Sequence, residues 1–244
     1  MLRSRRYGWY VLALLASANF LNYANRNVVF PMYDDLRGAF SLSNAELGLL
    51  GTAFMVTHAM VTLPIGWAAD RLDRRRVMAA GLVVWSLAAL GSIFATGFYS
   101  MIASRAVIGI GTAACVPVAN ALLCDLFPDE QKARTVSIFN IGLFVGGVVG
   151  IALGAMVGFP LGFLVVGGPG LIIAYLVATI DLPAPERTDT HRMSWTAFVR
   201  DTGAVLSIKP MRWMMVGAVF DGVRGWWVPG VVHRFSDHGQ GHVG

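Results

Sequence analysis

The chain has 244 residues, of which 56% are hydrophobic and 14% are charged, whereas soluble domains carry about 25% charged residues. Its net charge of +5 is compatible with nucleic-acid binding, but most basic residues lie in short loops between apolar segments and form no basic face. Composition therefore excludes an ordinary soluble domain and argues against a nucleic-acid partner. It predicts an all-α protein embedded in a lipid bilayer.

Seven apolar segments, each bounded by charged or turn residues, predict seven membrane-spanning helices. We expect a six-helix half at residues 1–181, a cytoplasmic linker at 182–210, and a seventh span with a short external tail at 211–244. The linker is interpreted either as a solvated segment or as a helix on the membrane face. In chain order, the predicted spans are residues 7–30, 47–69, 77–97, 99–126, 135–157, 160–180 and 211–232.

The distribution of arginine and lysine predicts the orientation of these spans. The N-terminal arm and the segments that follow spans 2, 4 and 6 are basic, whereas the segments on the other side carry little positive charge. Positively charged loops are retained in the cytoplasm. The N-terminus is therefore predicted to be cytoplasmic, in the inner membrane of a cell.

Two arginines, Arg26 in span 1 and Arg105 in span 4, are predicted to lie within the membrane near the outer ends of their helices. No carboxylate in the middle of spans 1 to 6 is available to neutralise them. Ionisable groups at such depth are costly and are candidates for function. They could bind an anionic group of a substrate, pair with carbonyl groups, or extend to the membrane interface. Asn22 and Asn25 share a helix face with Arg26, so this face should contact a cavity or another helix.

Four further polar residues are candidates for substrate binding or coupling. Thr112 lies one heptad from Arg105 on the same helix face. His58 in span 2 is interpreted as a partner in an interhelical hydrogen bond, with proton shuttling as the alternative. Asp221 and Arg224 in span 7 are spaced to pair with each other, and Asp221 could instead face one of the two membrane arginines.

No pattern in the chain indicates an enzyme. Gly109-Ile110-Gly111 is superficially similar to a dinucleotide fingerprint, but no strand precedes it. Cys115 and Cys124 are interpreted as packing residues, and neither a metal site nor a cofactor is expected. A ridge of small residues along span 5 instead predicts close helix packing. Its glycines are Gly142, Gly146, Gly150 and Gly154.

The loop between spans 2 and 3 reads GWAADRLDRRR, from Gly66 to Arg76. It resembles the signature loop of the major facilitator superfamily, although Asp73 stands where that family usually has glycine. Residues 22–26, NYANR, resemble the Asn-Tyr-x-Asp-Arg of Spinster-like transporters and their bacterial relatives, and stretches of spans 4 and 6 are also similar. The matching positions of the loop are Gly66, Asp70, Arg71, Arg74 and Arg75.

The resemblance implies a transporter with two six-helix halves around a central cavity, which moves a small organic solute by alternating access. Asp70, Arg71 and Arg74 would be gating residues, and Asp125 and Arg134 their charge partners across the loops. Spinster-like families point to lipid-like solutes. The two membrane arginines suggest an organic anion or an anionic amphiphile.

The sequence departs from that family in its coupling residues and in its length. Asn25 stands where the family has an aspartate linked to proton coupling, and Thr112 where it usually has a glutamate; neither an amide nor a hydroxyl titrates near neutral pH. Uniport is one alternative, and coupling through His58 or Asp221 is another. Since the family has about twelve spans, we expect a truncated product that needs a C-terminal half or a second copy, or a non-transporting remnant or interaction protein.

Overall fold

The computed structural model describes residues 5–180 and positions 200, 203 and 207. The chain divides into two units, Met1–Thr190 and His191–Gly244. The first unit contains, in chain order, α1 (Arg5–Asn27), a 3-10 turn (Phe30–Met32), α2 (Tyr33–Phe40), α3 (Asn44–Arg71), α4 (Arg74–Gly91), a 3-10 turn (Ser92–Phe94), α5 (Phe98–Thr112), α6 (Cys115–Leu126), α7 (Asp129–Val157) and α8 (Leu161–Thr179).

The predicted all-α membrane fold is confirmed over the described residues. α1 occupies the first predicted span, and its 23 residues are enough to cross a bilayer core, although its asparagines make it less apolar. Apart from positions 200, 203 and 207, the predicted linker lies outside the described residues, as does the seventh span with Asp221 and Arg224. Five helical segments of the described chain are both long and apolar enough to cross a membrane: Asn44–Ala69, Arg74–Phe94, Phe98–Leu126, Asp129–Val157 and Leu161–Thr179.

The fourth of the predicted spans is divided into two helices. α5 and α6 are separated by two residues, Ala113 and Ala114. Pro117 explains the break, because proline has no N–H to donate to the Ala113 carbonyl four residues earlier. Helical bonding resumes at Val118, whose N–H donates to the Ala114 carbonyl at 3.3 Å. This span therefore crosses as a broken helix.

A short helix that the sequence pattern does not predict follows α1. In this helix, α2, the Asp35 carboxylate accepts a hydrogen bond from the N–H of Phe159 at 3.0 Å, and the Phe40 ring lies 5.6 Å from the Phe159 ring. α2 therefore attaches the α1–α3 connection to the α7–α8 turn. α3 then begins at a capping box, in which Ser43 and Glu46 each bond the other's backbone N–H and so satisfy two free donors.

The glycine ridge of α7 lies directly against α1. A Cβ placed on Gly146 would lie 2.2 Å from the Phe20 carbonyl oxygen, and one on Gly150 would lie 2.4 Å from the Ala24 carbonyl oxygen. Real Cβ atoms do not approach oxygen so closely, so only glycine permits this helix separation. The predicted close packing is confirmed. All four glycines of the ridge are buried: Gly142, Gly146, Gly150 and Gly154.

The glycines of α5 have the same packing role on two sides. A Cβ on Gly109 would lie 2.6 Å from the Phe54 carbonyl oxygen on α3. A Cβ on Gly111 would lie 2.5 Å from the Trp85 backbone nitrogen on α4. The Gly-x-Gly pattern therefore brings α5 into backbone contact with two neighbouring helices. Trp85 itself is fully buried, and it fills the core beside this crossing.

Candidate gating and substrate-binding sites

An ion pair joins α4 and α6 at one end of the bundle. Arg74, the first residue of α4, pairs with Asp125 in the last turn of α6. Arg75 donates from Nη1 to the carbonyl of Ile180, which follows α8, at 2.8 Å. These contacts join the start of α4 to the ends of α6 and α8. The three helix ends lie on the same side of the membrane if successive spans alternate in direction. We call this region, which includes Arg134 on α7, the basic end.

Asp73, which departs from the family pattern, has a local role at the basic end. Its side chain accepts a hydrogen bond from the Arg75 backbone N–H at 3.0 Å and so caps α4. The same carboxylate lies 3.5 Å from Arg75 Nη2 and 3.4 Å from Arg76 Nε. Aspartate is a favoured helix N-cap and its charge suits a helix N-terminus. The sequence signal for this role was its position immediately before the basic run.

Two other arginines of the basic end contact aromatic rings. The Arg71 guanidinium carbon lies 4.1 Å from the Trp67 ring centroid. That of Arg134 lies 5.7 Å from the Trp9 ring centroid. Such cation–π contacts stabilise a cation beside an apolar surface. The resemblance implied that Arg134 is a charge partner of the gating residues across the loops. Among the described residues, its contact is instead with the Trp9 ring.

Asp70 and Gly66, the first residues of the signature loop, lie in the last two turns of α3. A Cβ on Gly66 would meet no described atom within 4 Å. Close packing among the described residues therefore does not account for this glycine. The gating roles of both residues remain predictions.

The polar face of α1 is buried against other helices. Asn19 and Asn25 are fully buried, and Asn22 is nearly so. Asn19 donates from Nδ2 to the Phe139 carbonyl on α7 at 3.0 Å, and the Asn22 side chain bonds the thiol of Cys115 on α6. The stripe therefore faces protein, as expected from the cost of exposing amides to lipid.

The two cysteines lie in different surroundings. Cys115 is buried, as expected of a packing residue, whereas Cys124 near the end of α6 is exposed. The interpretation of Cys124 as a packing residue was therefore wrong. It precedes Asp125 in the last turn of α6, close to the basic end.

Arg105 is enclosed by the bundle, with a relative exposure of 1%. Its guanidinium carbon lies 4.8 Å from the centroid of the Phe163 ring on α8. This burial excludes the alternative in which Arg105 extends to the membrane interface. Its Nε and Nη2 donate to no acceptor among the described residues.

Arg26, in contrast, is half-buried and lies against aromatic rings. Its guanidinium carbon is 5.5 Å from the Phe54 ring centroid and 5.9 Å from that of Tyr23. The His58 ring stacks on Phe54 at 5.7 Å. We call these residues, together with Thr112, the Arg26 cluster.

The His58–Thr112 contact closes the Arg26 cluster from the side of α5. His58 Nδ1 lies 3.2 Å from Thr112 Oγ1. The Thr112 hydroxyl donates to the Ile108 carbonyl at 2.9 Å, and in the tautomer with a proton on Nδ1 the histidine donates to Thr112 Oγ1. The predicted interhelical hydrogen bond is therefore present.

The profile of the Major Facilitator Superfamily matches residues 15–227. This chain therefore belongs to that superfamily of multi-pass membrane transporters. Among curated proteins, it is 29% identical to protein spinster homolog 3 of Danio rerio over an alignment of 247 residues. That alignment covers 95% of this chain and 49% of the zebrafish protein. It is 32% identical over 142 residues to protein spinster homolog 1 of Homo sapiens, covering 57% of this chain and 27% of that protein. The chain thus spans half or less of the length of these relatives.

Solved structures show the same fold. A bacterial homolog of the human lysosomal transporter Spinster, crystallised in an inward-facing and unoccupied conformation, is similar with a TM-score of 0.70 and 26% identity, covering 83% of this chain and 50% of that chain. The human organic anion transporter TETRAN shares the fold with a TM-score of 0.65 and 18% identity, covering 79% of this chain and 52% of that chain. The resemblance to Spinster-like transporters is confirmed.

Proposed function

We propose that this protein transports an organic anion or an anionic amphiphile by alternating access, in the inner membrane and with a cytoplasmic N-terminus. Membership of the superfamily and the likeness to a Spinster-like transporter support the mode of transport. One observation carries the choice of solute. Arg26 is partly accessible and lies against aromatic rings, and no ion pair neutralises it among the described residues.

The Arg26 cluster has the chemistry to bind an anion that carries an apolar body. An arginine presents its N–H groups in a plane, so it can bond a carboxylate or a phosphate through two parallel hydrogen bonds. The rings of Tyr23 and Phe54 provide flat apolar surface next to this charge. A hydrocarbon or aromatic portion of the solute would contact these rings while its anionic group bonds Arg26.

The basic end supplies the proposed gate. Opposite charges at the ends of helices that separate and rejoin can form an ion-pair network with two arrangements. The Arg74–Asp125 pair is one of these arrangements. Asp70, Arg71 and Arg134 are the proposed participants in the other.

Uniport is the proposed mode of transport. Asn25 and Thr112 cannot exchange protons near neutral pH, and the Thr112 hydroxyl is already bonded to a backbone carbonyl. His58 Nδ1 contacts Thr112 Oγ1 and so joins α3 to α5. A structural role for His58 is therefore preferred to a role in proton transfer.

A central cavity between two halves needs two walls. The described residues supply one six-helix wall, and the two spinster homologs are about twice as long or longer. We therefore propose that a second copy of this chain supplies the second wall.

Reconstitution of the full 244-residue chain into liposomes tests the proposal. The probes are radiolabelled decyl phosphate, decyl sulfate and decanoate, with uncharged decyl glucoside as the matched probe. We expect uptake of at least one anion above the level of protein-free liposomes, without uptake of the glucoside. Arg26→Gln should lower this uptake about ten-fold, since a lost charge-assisted hydrogen bond is worth about 1.5–3 kcal/mol.

Arg37→Gln is the matched control, because Arg37 is exposed and pairs within α2 with Asp34. It should transport like the unaltered chain. A folded, monodisperse protein that takes up none of the three anions would contradict the proposed transport. Unchanged uptake by Arg26→Gln would contradict the proposed binding site.

A further inference from the structure

Trp9, near the start of α1, lies between an aromatic ring and a cation at the basic end. The ring of Phe127, which follows α6, meets it edge-on, with the two centroids 5.9 Å apart. The guanidinium carbon of Arg134 lies 5.7 Å from the Trp9 ring centroid. Tyr10, the next residue of α1, is exposed. Because tryptophan and tyrosine collect at the headgroup level of a membrane, the start of α1 is expected at that level.

Two arginines beside Trp9 expose their positive charge. Arg134 is exposed on α7, and Arg6 is exposed on α1. Arg6 precedes Trp9 by three residues and so lies about one helical turn nearer the water. Neither arginine forms an ion pair with a carboxylate of the described residues. Glu130, one turn before Arg134, is exposed but makes no such pair in this part of the chain. Both cations are therefore available to an anionic group at the membrane surface.

From Arg134 toward the membrane interior, α7 exposes a stripe of apolar side chains. Ile141, Val145 and Val148 are 58%, 46% and 69% exposed, and their spacing places them on the same helix face as Arg134. Ile141 lies about 10 Å from Arg134 along the helix axis, whereas one headgroup layer is about 5–8 Å thick. A lipid with its phosphate at Arg134 therefore has its acyl chains at the level of this stripe.

We propose that the junction of α1 and α7 at the basic end binds a phospholipid whose headgroup carries a net negative charge, of the phosphatidylglycerol class. The lipid phosphate bonds the Arg134 guanidinium, which presents parallel N–H donors to such a group. Arg6 adds attraction from one turn away, and Trp9 lies against the guanidinium at headgroup level. The site belongs to the described arrangement, in which Arg134 pairs with no described carboxylate. It is distinct from the proposed solute site, because Arg26 lies in the last turn of α1.

Native mass spectrometry of the purified full chain in a nonionic detergent tests this site. Dioleoyl phosphatidylglycerol is titrated against the protein. Dioleoyl phosphatidylcholine is the matched probe without net charge, and glycerol phosphate is the soluble probe without acyl chains. We expect a saturable adduct with phosphatidylglycerol and none with the other two at the same concentration. Arg134→Gln and Arg6→Gln should each raise the half-saturating concentration about five-fold, the usual attraction of one basic residue to anionic lipid.

Arg76→Gln is the matched control, because Arg76 is 81% exposed at the basic end but belongs to α4. It should bind phosphatidylglycerol like the unaltered chain, and so should Arg26→Gln. Equal binding of the two phospholipids would overturn the proposal, as would unchanged binding in both Arg134→Gln and Arg6→Gln.

Three other results would also contradict this site. Equal weakening by Arg76→Gln and Arg134→Gln would show that the attraction is spread over the basic end. Loss of the adduct in Arg26→Gln would assign the lipid to the proposed solute site. Binding of glycerol phosphate that depends on Arg134 would show a site for free phosphate. Since lipid binding is measured without transport, failure of the proposed transport would leave this test intact.

Discussion

Arg74 and Asp125 form an ion pair between the first residue of α4 and the last turn of α6, although 51 residues separate them in the chain. The helix ends that they join adjoin the signature loop and the loop that leads to α7. Asp73 caps α4 and so fixes the residue at which this helix begins. Arg74, the next residue, is therefore held at the helix end. The pair therefore links two helix ends and not residues of a single loop.

A double-mutant cycle with Arg74→Gln and Asp125→Asn should show a coupling of about 0.5 kcal/mol in the free energy of unfolding. The side chains are 22% and 52% exposed, so solvent screens the pair and keeps its contribution small. Unfolding in mixed micelles measures the cycle. The local pair Asp34–Arg37, whose carboxylate is 91% exposed, is the control and should show less. Additive effects of Arg74→Gln and Asp125→Asn would show that the ion pair contributes nothing.

Gly146→Ala should destabilise the protein by about 1–3 kcal/mol, the usual cost of overpacking. The new methyl would lie 2.2 Å from the Phe20 carbonyl oxygen, so α1 and α7 must separate. Gly147→Ala is the matched control, because among the described residues its methyl would meet only the Asn27 side chain, at 3.5 Å. Thermal unfolding of both variants measures the difference. Equal midpoints would contradict the backbone contact between the two helices.

Cys124 allows the proposed orientation to be tested with the native chain. It is exposed near the basic end, whereas Cys115 is buried. A membrane-impermeant maleimide should therefore leave intact right-side-out cells unlabelled and should label Cys124 after permeabilisation. Cys124→Ser should remove the label. Labelling of intact cells at Cys124 would place the basic end outside and reverse the orientation.

Uptake should not depend on a proton gradient if transport is uniport. A protonophore should leave the initial rate of uptake of the anionic probe unchanged, because Asn25 and Thr112 replace the family's acidic residues. His58→Gln should stay within about two-fold of the unaltered rate, because its imidazole serves a hydrogen bond that an amide can replace. Accumulation of the probe that collapses with the protonophore would show coupling to protons. If His58→Gln also abolished this accumulation, the coupling would be assigned to the histidine.

Much of the helical fold could be predicted because apolar length and basic loops are local properties of the sequence. The glycine ridge of α7 was also legible, since a repeat of four residues places small residues on one helix face. The break between α5 and α6 was not predicted, although Pro117 carries a local signal for it. α2 was missed because eight residues beside a longer apolar span have little periodicity of their own.

The environments of the two membrane arginines could not be predicted from the sequence. Arg26 and Arg105 were expected at similar depth, and depth along a helix does not show which neighbours surround a side chain. The structure encloses Arg105 beneath Phe163 and leaves Arg26 half-buried beside Phe54. Tertiary packing therefore leaves one of the two arginines accessible and encloses the other.

Counterflow in liposomes tests the central claim, alternating-access transport by this chain, most directly. Liposomes that contain the purified protein are loaded with unlabelled anion, decyl phosphate or whichever probe is taken up, and are diluted into a trace of the labelled compound. An alternating-access carrier that takes unlabelled anion out of the liposome can bring labelled anion in on its return. We therefore predict a transient accumulation of label inside the liposomes above its equilibrium level. Uptake that only approaches equilibrium, with the same time course in preloaded and empty liposomes, would contradict alternating access.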